Sequence, residues 1–189
     1  MAINYKNKYM TNNNTISPLA KIGKNVKIGK YNIIEESVII GENVEIGNFC
    51  IIKSNVKIKK GVVLKNHIEI RENTVISQGS LVDSYVAISG NVKVGKNVTL
   101  RYGTILARGA VIGDNCYFSP RVMLNNLNEI KKQIGGAKIG KNCFIGTHTV
   151  IHHGVKIGAN VTIGSMSFVN RNCKSNTTYI GSPARLIKH

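Results

Sequence analysis

The 189-residue sequence has no tryptophan, and aromatic residues make up only 6% of it. Any core it builds is therefore aliphatic. The first twenty residues, MAINYKNKYMTNNNTISPLA, hold no hydrophobic stretch of the kind a secretion signal needs. No later run is long enough to span a membrane, so the expectation is a cytoplasmic protein with no membrane insertion. Acidic residues are scarce: nine Asp and Glu face 26 Lys and Arg, a formal net charge of +17. That surplus favours anionic partners such as nucleotides, phosphates, nucleic acid or acidic polysaccharide. The lysines are spread along the whole chain rather than gathered in a block, which argues against nucleic acid. The four cysteines show no CxxC spacing, so neither a zinc ribbon nor a disulfide framework is expected. At this length the chain is one domain or a small domain with arms.

What the sequence has in abundance is a beat of six. From Ile16 to Leu124 every sixth residue is apolar, nineteen times in succession. After a gap the beat resumes at Ile139 and runs to Val169, for 25 hexads in all. The fifth position of each hexad is small or β-branched, as at Val26, Val44, Val98 and Ala110, and all four cysteines fall there. A strict period of six drifts around a helix axis, so these are not helices. Short strands joined by tight corners satisfy it, with three hexads closing one coil of 18 residues. The spacing predicts a parallel β-helix of about eight coils, apolar first and fifth positions pointing inward. The fourth position is Asn or Gly in 15 of 25 hexads, residues that accept positive φ at a corner. The expected division is an arm over 1–15, the β-helix over 16–174 with an external loop at 125–138, and a tail over 175–189.

One edge of this prism departs from the rule. Its corner residues are Tyr31, Phe49, His67, Tyr85, Gly103, Arg121, His148 and Met166, none of them Asn. Such a ladder suits packing between neighbouring columns, a ligand groove, or both. The single break in rhythm, NNLNEIKKQIGGAK at 125–138, begins after Arg121 and ends before His148. A solenoid usually interrupts its repeat on its binding face. On this reading Arg121, His148 and the amides of Asn125 and Asn126 meet at the base of the loop and bind and deprotonate a polar acceptor. His67, four coils lower, is expected to pack, and His152 and His153 to face solvent.

The hexads, followed by YIGSPARLIKH, resemble the hexapeptide-repeat acyltransferases. Many members of that family end in Gly-Asn/Ser-Pro-Ala-Arg, as GSPAR does here. The resemblance implies a left-handed helix, a homotrimer, active sites between adjacent columns, and acetyl-CoA along the groove. It assigns Gly146, Gly164 and Ser165 to the pantetheine path and Ser182 and Arg185 to the CoA phosphates. PRVMLNNLNE resembles the stretch where sugar and nucleotide-sugar acetyltransferases enter their acceptor loop. The implied acceptor is an amine or hydroxyl of a sugar, the positive charge favouring an anionic nucleotide-linked one. His148 and Asn125 are the catalytic candidates; Asn126, Arg121, Tyr102 and Glu129 are the substrate-binding ones. Many relatives place a histidine where this chain has Asn125–Asn126, and others carry Val-Asp-His-Asp where VDSY places Ser84. The base is therefore either His148 or no dedicated group.

Two other readings are open at this stage. The γ-class carbonic anhydrases share the repeat and bind zinc through histidines; THTVIHHG offers His148 and His153, but no third histidine stands near Asn125. The family assignment chosen above requires no metal. A non-catalytic structural β-helix is the second alternative.

Overall fold

A computed structural model describes residues 13–127, 130 and 135–187. Twenty-five two-residue strands run from Thr15–Ile16 to Phe168–Val169, each ending on the first residue of a hexad. They stack into three sheets, here called walls A, B and C in the order the chain visits them, and no helix occurs among the described residues. Wall A begins with Thr15–Ile16, wall B with Lys21–Ile22 and wall C with Lys27–Ile28. Neighbouring strands in a wall are parallel and in register at a step of 18 residues: Ile16 pairs with Ile34, Ile22 with Ile40, Ile28 with Ile46. Stacking is thus sustained by backbone hydrogen bonds between successive coils, ~4.8 Å apart.

The interior follows from the alternation. First-position residues such as Ile34, Ile52, Leu100 and Ile145 are buried, and so are fifth-position Val38, Val56 and Val98. Removing a large aliphatic from water contributes about 1.5–3 kcal/mol each, and every coil repeats the contribution. Phe118 is the largest fully buried side chain. The four cysteines are buried and free. Burial pushes the Cys50 thiol up and holds Cys173 at about 11, so neither is a nucleophile at neutral pH.

Corners follow residue chemistry. At the edge between walls B and C, asparagines hold φ between 53° and 58°, as at Asn25, Asn97 and Asn142. Their amides bond to one another up the edge: Asn115 Nδ2 donates to Asn142 Oδ1 at 3.2 Å, and Asn142 Nδ2 to Asn160 Oδ1 at 3.0 Å.

The break in the repeat leaves the walls in phase. Tyr117 pairs with Phe144, Val111 with Lys138 and Met123 with Val150, a step of 27 in place of 18. Nine added residues therefore leave at one corner and return to it. Gly136 marks the re-entry; a side chain there would run into the backbone of Ala110 in the coil below. Beyond wall C's last regular strand, Thr178–Ile180 adds in parallel and Arg185–Leu186 turns back antiparallel upon it.

Candidate active site

The edge between walls C and A carries the bulky ladder as a continuous column. Tyr85 N–H donates to Asn66 O, Gly103 N–H to Ser84 O, Arg121 N–H to Tyr102 O, His148 N–H to Pro120 O and Met166 N–H to Thr147 O. Tyr85, Arg121 and His148 lie in this one column and are exposed. Every member takes a left-handed backbone, Phe49 at φ 57°, Arg121 at 60° and His148 at 55°. Large L-residues adopt that conformation at a cost, and such departures collect at functional or tightly determined places.

The column has two parts. Below, Tyr31, Phe49, His67 and Tyr85 stack face to face with centroids 4.8–5.0 Å apart, and Tyr102 tilts against Tyr85 at 5.2 Å. His67 is a ring in this stack, the packing role expected of it. Gly103, φ 68°, ends the stack. Above it stand Arg121, His148 and Met166, the last 70% exposed.

The residues assigned to the acyl donor run along this same upper edge. Gly146 and Gly164 occupy equivalent positions in successive coils, their N–H groups donating to Ile163 O and Tyr179 O. A Cβ on Gly146 would collide with the Ser165 backbone, so this track carries no side chain at that point. Ser165 is exposed beside it, next to Met166. The tail closes the top: Phe168 N–H donates to Gly181 O, Ala184 N–H to Phe168 O, and Gly181 N–H to Ser167 Oγ. Ser182 and Arg185 are exposed there, joined through the cis Ser182–Pro183 peptide and the strand Arg185–Leu186. Gly146, Gly164, Ser165, Ser182 and Arg185 thus form one track beginning beside His148.

The loop base is elsewhere. Asn125 and Asn126 follow the strand Met123–Leu124 and lie toward the edge between walls A and B. Four residues of extended chain separate Asn125 from Arg121, about 13 Å. The expected meeting of Asn125 and Asn126 with Arg121 and His148 therefore does not occur within one copy of the chain; they flank opposite sides of wall A. The reason is that the chain leaves the coil one corner later than the ladder. Asn125 and Asn126 instead line a shallow recess of about 330 Å³ with Ser89, Ala107, Met123 and Leu127. Glu129 lies outside the described residues.

Directly above this recess are His152 and His153. Asn125 N–H donates to Ile151 O, which sets His152 one coil above Asn125. Both histidines are half-buried instead of solvent-facing, their rings 3.8 Å apart, with Phe168 edge-on to His152 at 5.6 Å. His153 Nδ1 is buried without a hydrogen-bond partner among the described residues. The step of 27 across the break was the signal that could have located them, because it pairs residues 125 and 126 with 152 and 153.

Comparison with known proteins shows what the chain is similar to. The model of the bacterial transferase hexapeptide (six repeats) matches residues 19–54 and 136–171. The family model thus falls on two stretches of the hexad repeat, and the chain is similar to that family there. It is 31% identical to galactoside O-acetyltransferase of Escherichia coli over 109 residues, 52% of this chain and 54% of that protein. It is 31% identical to serine acetyltransferase of Staphylococcus epidermidis over 98 residues, 51% of this chain and 46% of that one. The chain thus spans about half the length of the curated relatives it matches. Among solved structures, LpxA from Acinetobacter baumannii superposes with a TM-score of 0.83 at 20% identity, covering 93% of this chain and 72% of that one. LpxA from Bacteroides fragilis, a UDP-N-acetylglucosamine acyltransferase, gives 0.82 at 22% identity over the same shares. These likenesses establish the shared fold.

Proposed function

We propose that this protein transfers an acetyl group from acetyl-CoA to an amine or hydroxyl of a sugar or nucleotide-linked sugar. The observation that carries the reading is the upper C–A edge, where exposed His148 and Arg121 adjoin a track of Gly146, Gly164 and Ser165 capped by the GSPAR tail. The named activities of the matched relatives, galactoside and serine acetylation and UDP-N-acetylglucosamine acylation, support the same reaction class.

The acceptor's lone pair attacks the thioester carbonyl carbon, its proton passes to His148, and the C–S bond breaks to release the thiol. Ser165 N–H makes no hydrogen bond among the described residues, whereas those of Gly146 and Gly164 are taken up by the ladder. Ser165 N–H is therefore the better donor to a developing oxyanion. Arg121 and Tyr102 supply positive charge and hydrogen bonds for an anionic acceptor. Asn125, Asn126 and Glu129 complete the acceptor site only if a second copy brings its loop base to the first copy's C–A edge, which calls for a homotrimer of side-by-side rods. The exposed Tyr31, Phe49 and Tyr85 stack and the apolar outward residues Ile105 and Met123 of wall A are suited to that contact.

One observation favours a second assignment within this reading: the buried, unpartnered Nδ1 of His153 above the recess marks it as an alternative base. Thiol release measured with amino-sugar nucleotides and free sugars separates the two. His148→Ala is expected to lower kcat by about 10²–10⁴-fold with acetyl-CoA affinity kept. Full activity in His148→Ala with loss in His153→Ala would transfer the role, and no thiol release with any acceptor would defeat the proposal.

A further inference from the structure

Folding sorts the charge in a way the linear sequence conceals. The outward column of wall B reads Lys21, Ile39, Lys57, Val75, Lys93, Val111, Lys138, Lys156, each paired in register with the next. A second column, at the adjoining B–C edge, has lysine on the same alternate coils. Residues 21–24, 57–60, 93–96 and 138–141 read KIGK, KIKK, KVGK and KIGK. Two exposed lysines therefore recur side by side every second coil, ~9.6 Å apart at the inter-strand spacing, along a straight strip.

The other walls differ. Several of their cations are matched by acids: Lys27 with Glu45 and Lys53 with Glu35 at 2.6 Å, Arg71 with Glu69 at 2.8 Å, Arg108 with Glu72 at 2.6 Å. On the strip the acids are Glu42, 4.0 Å from Lys60, and Asp114, which accepts the Lys96 backbone N–H. None of the outward wall-B lysines is ion-paired among the described residues. The strip thus carries many lysines and few acids on one flat side, turned away from the C–A edge.

We propose that this lysine strip is a docking surface for the anionic face of a lipid bilayer, which the rod meets lying on its side without inserting. The inference stands independently of the catalytic reading. Charge complementarity supplies the attraction, since each lysine held at an anionic leaflet contributes about 1 kcal/mol. Geometry selects the partner. A straight strip of in-register columns touches a plane along its whole length. Among the described residues it carries no aromatic ring on which bases could stack and no protruding element to enter a groove. Its cations are all lysine, point charges suited to diffuse attraction and not to paired recognition of single phosphates. Like charge also keeps the strip from being buried against a second copy of itself.

Sedimentation of the full chain with vesicles tests this. Binding is expected to mixed phosphatidylserine–phosphatidylcholine vesicles, to vanish on phosphatidylcholine alone, and to weaken steeply with salt. Lys57→Glu/Lys60→Glu/Lys93→Glu/Lys96→Glu is expected to lower vesicle affinity at least 100-fold, as four reversed charges require. The corresponding four Lys→Gln changes should give a smaller loss, and both variants are checked for an unchanged unfolding temperature; the Gln form carries the test if the Glu form unfolds. A control with the same change in net charge away from wall B, Lys30→Glu/Lys53→Glu/Lys65→Glu/Arg71→Glu, should keep most of the binding. Equal loss in the control, or duplex DNA bound at a salt concentration where anionic vesicles are not, would overturn the proposal.

Discussion

At Met166 the backbone holds φ 59° with no ring stacked on its side chain. A left-handed backbone costs an L-residue ~1–2 kcal/mol, and glycine in its place gives back ~0.5–1 kcal/mol through its freer unfolded chain. Met166→Gly should therefore raise stability by up to ~1 kcal/mol, a rise in unfolding temperature of about 2–4 °C. Phe49 has the same strain, φ 57°, but stacks on Tyr31 and His67 at 5.0 and 4.8 Å. Two aromatic contacts of ~0.5–1.5 kcal/mol each, beyond the area they bury, outweigh the relief, so Phe49→Gly should lower the unfolding temperature. Thermal circular dichroism on both variants reads the contrast. The identity of these corner residues was plain in the sequence. Their backbone angle was not, because asparagine and glycine at the other edges made the rule look like one of residue type, when it is one of position.

At the scale of elements, strands and corners were almost fully legible. Ile16 to Leu124 kept an unbroken beat, and each beat residue ends a strand. The candidate site was legible only in half. Arg121, His148, Gly146 and Gly164 could be placed on one edge by counting hexads. The loop base could not, since a break of rhythm reveals where the count fails but not which corner the chain departs from. The structure sets that corner and the length of the departure: nine residues beyond a normal coil, with Gly154 N–H donating to Gly135 O where the path closes. Deleting residues 127–135 removes nine residues and should restore the 18-residue step, leaving a folded rod with an undisturbed thermal transition. Acceptor turnover should be abolished while acetyl-CoA affinity persists; an unchanged acceptor KM would remove the loop from the acceptor site.

For the molecule as a whole, the few acids carry weight beyond their number. Glu35 accepts from Lys53 Nζ at 2.6 Å and from Ser54 N and Oγ, which hold its carboxyl below the usual range. Arg108 does the same for Glu72. A folded value below the unfolded one adds stability above the unfolded value and loses it as pH falls through the folded one. The unfolding temperature should hold level from neutrality to mildly acidic pH, then drop through the carboxylate range below about pH 4.5. Glu35→Gln should lower it at neutral pH and shrink the acid drop, which separates the pairing from general repulsion in a chain of net charge +17. A drop of equal size in both proteins would assign the acid loss to repulsion.

The final strand sets a limit on growth. Parallel stacking propagates only if the last strand presents an edge running in the same direction as those beneath it, and a rod of identical rungs would otherwise invite another molecule to continue it. Arg185–Leu186 runs the opposite way to Thr178–Ile180, and Gly181 and Ala184 occupy the hydrogen-bonding groups of Phe168. At walls A and C the upper rim therefore offers no parallel template for a further rung among the described residues, and the segment that does this is the one that borders the proposed donor track.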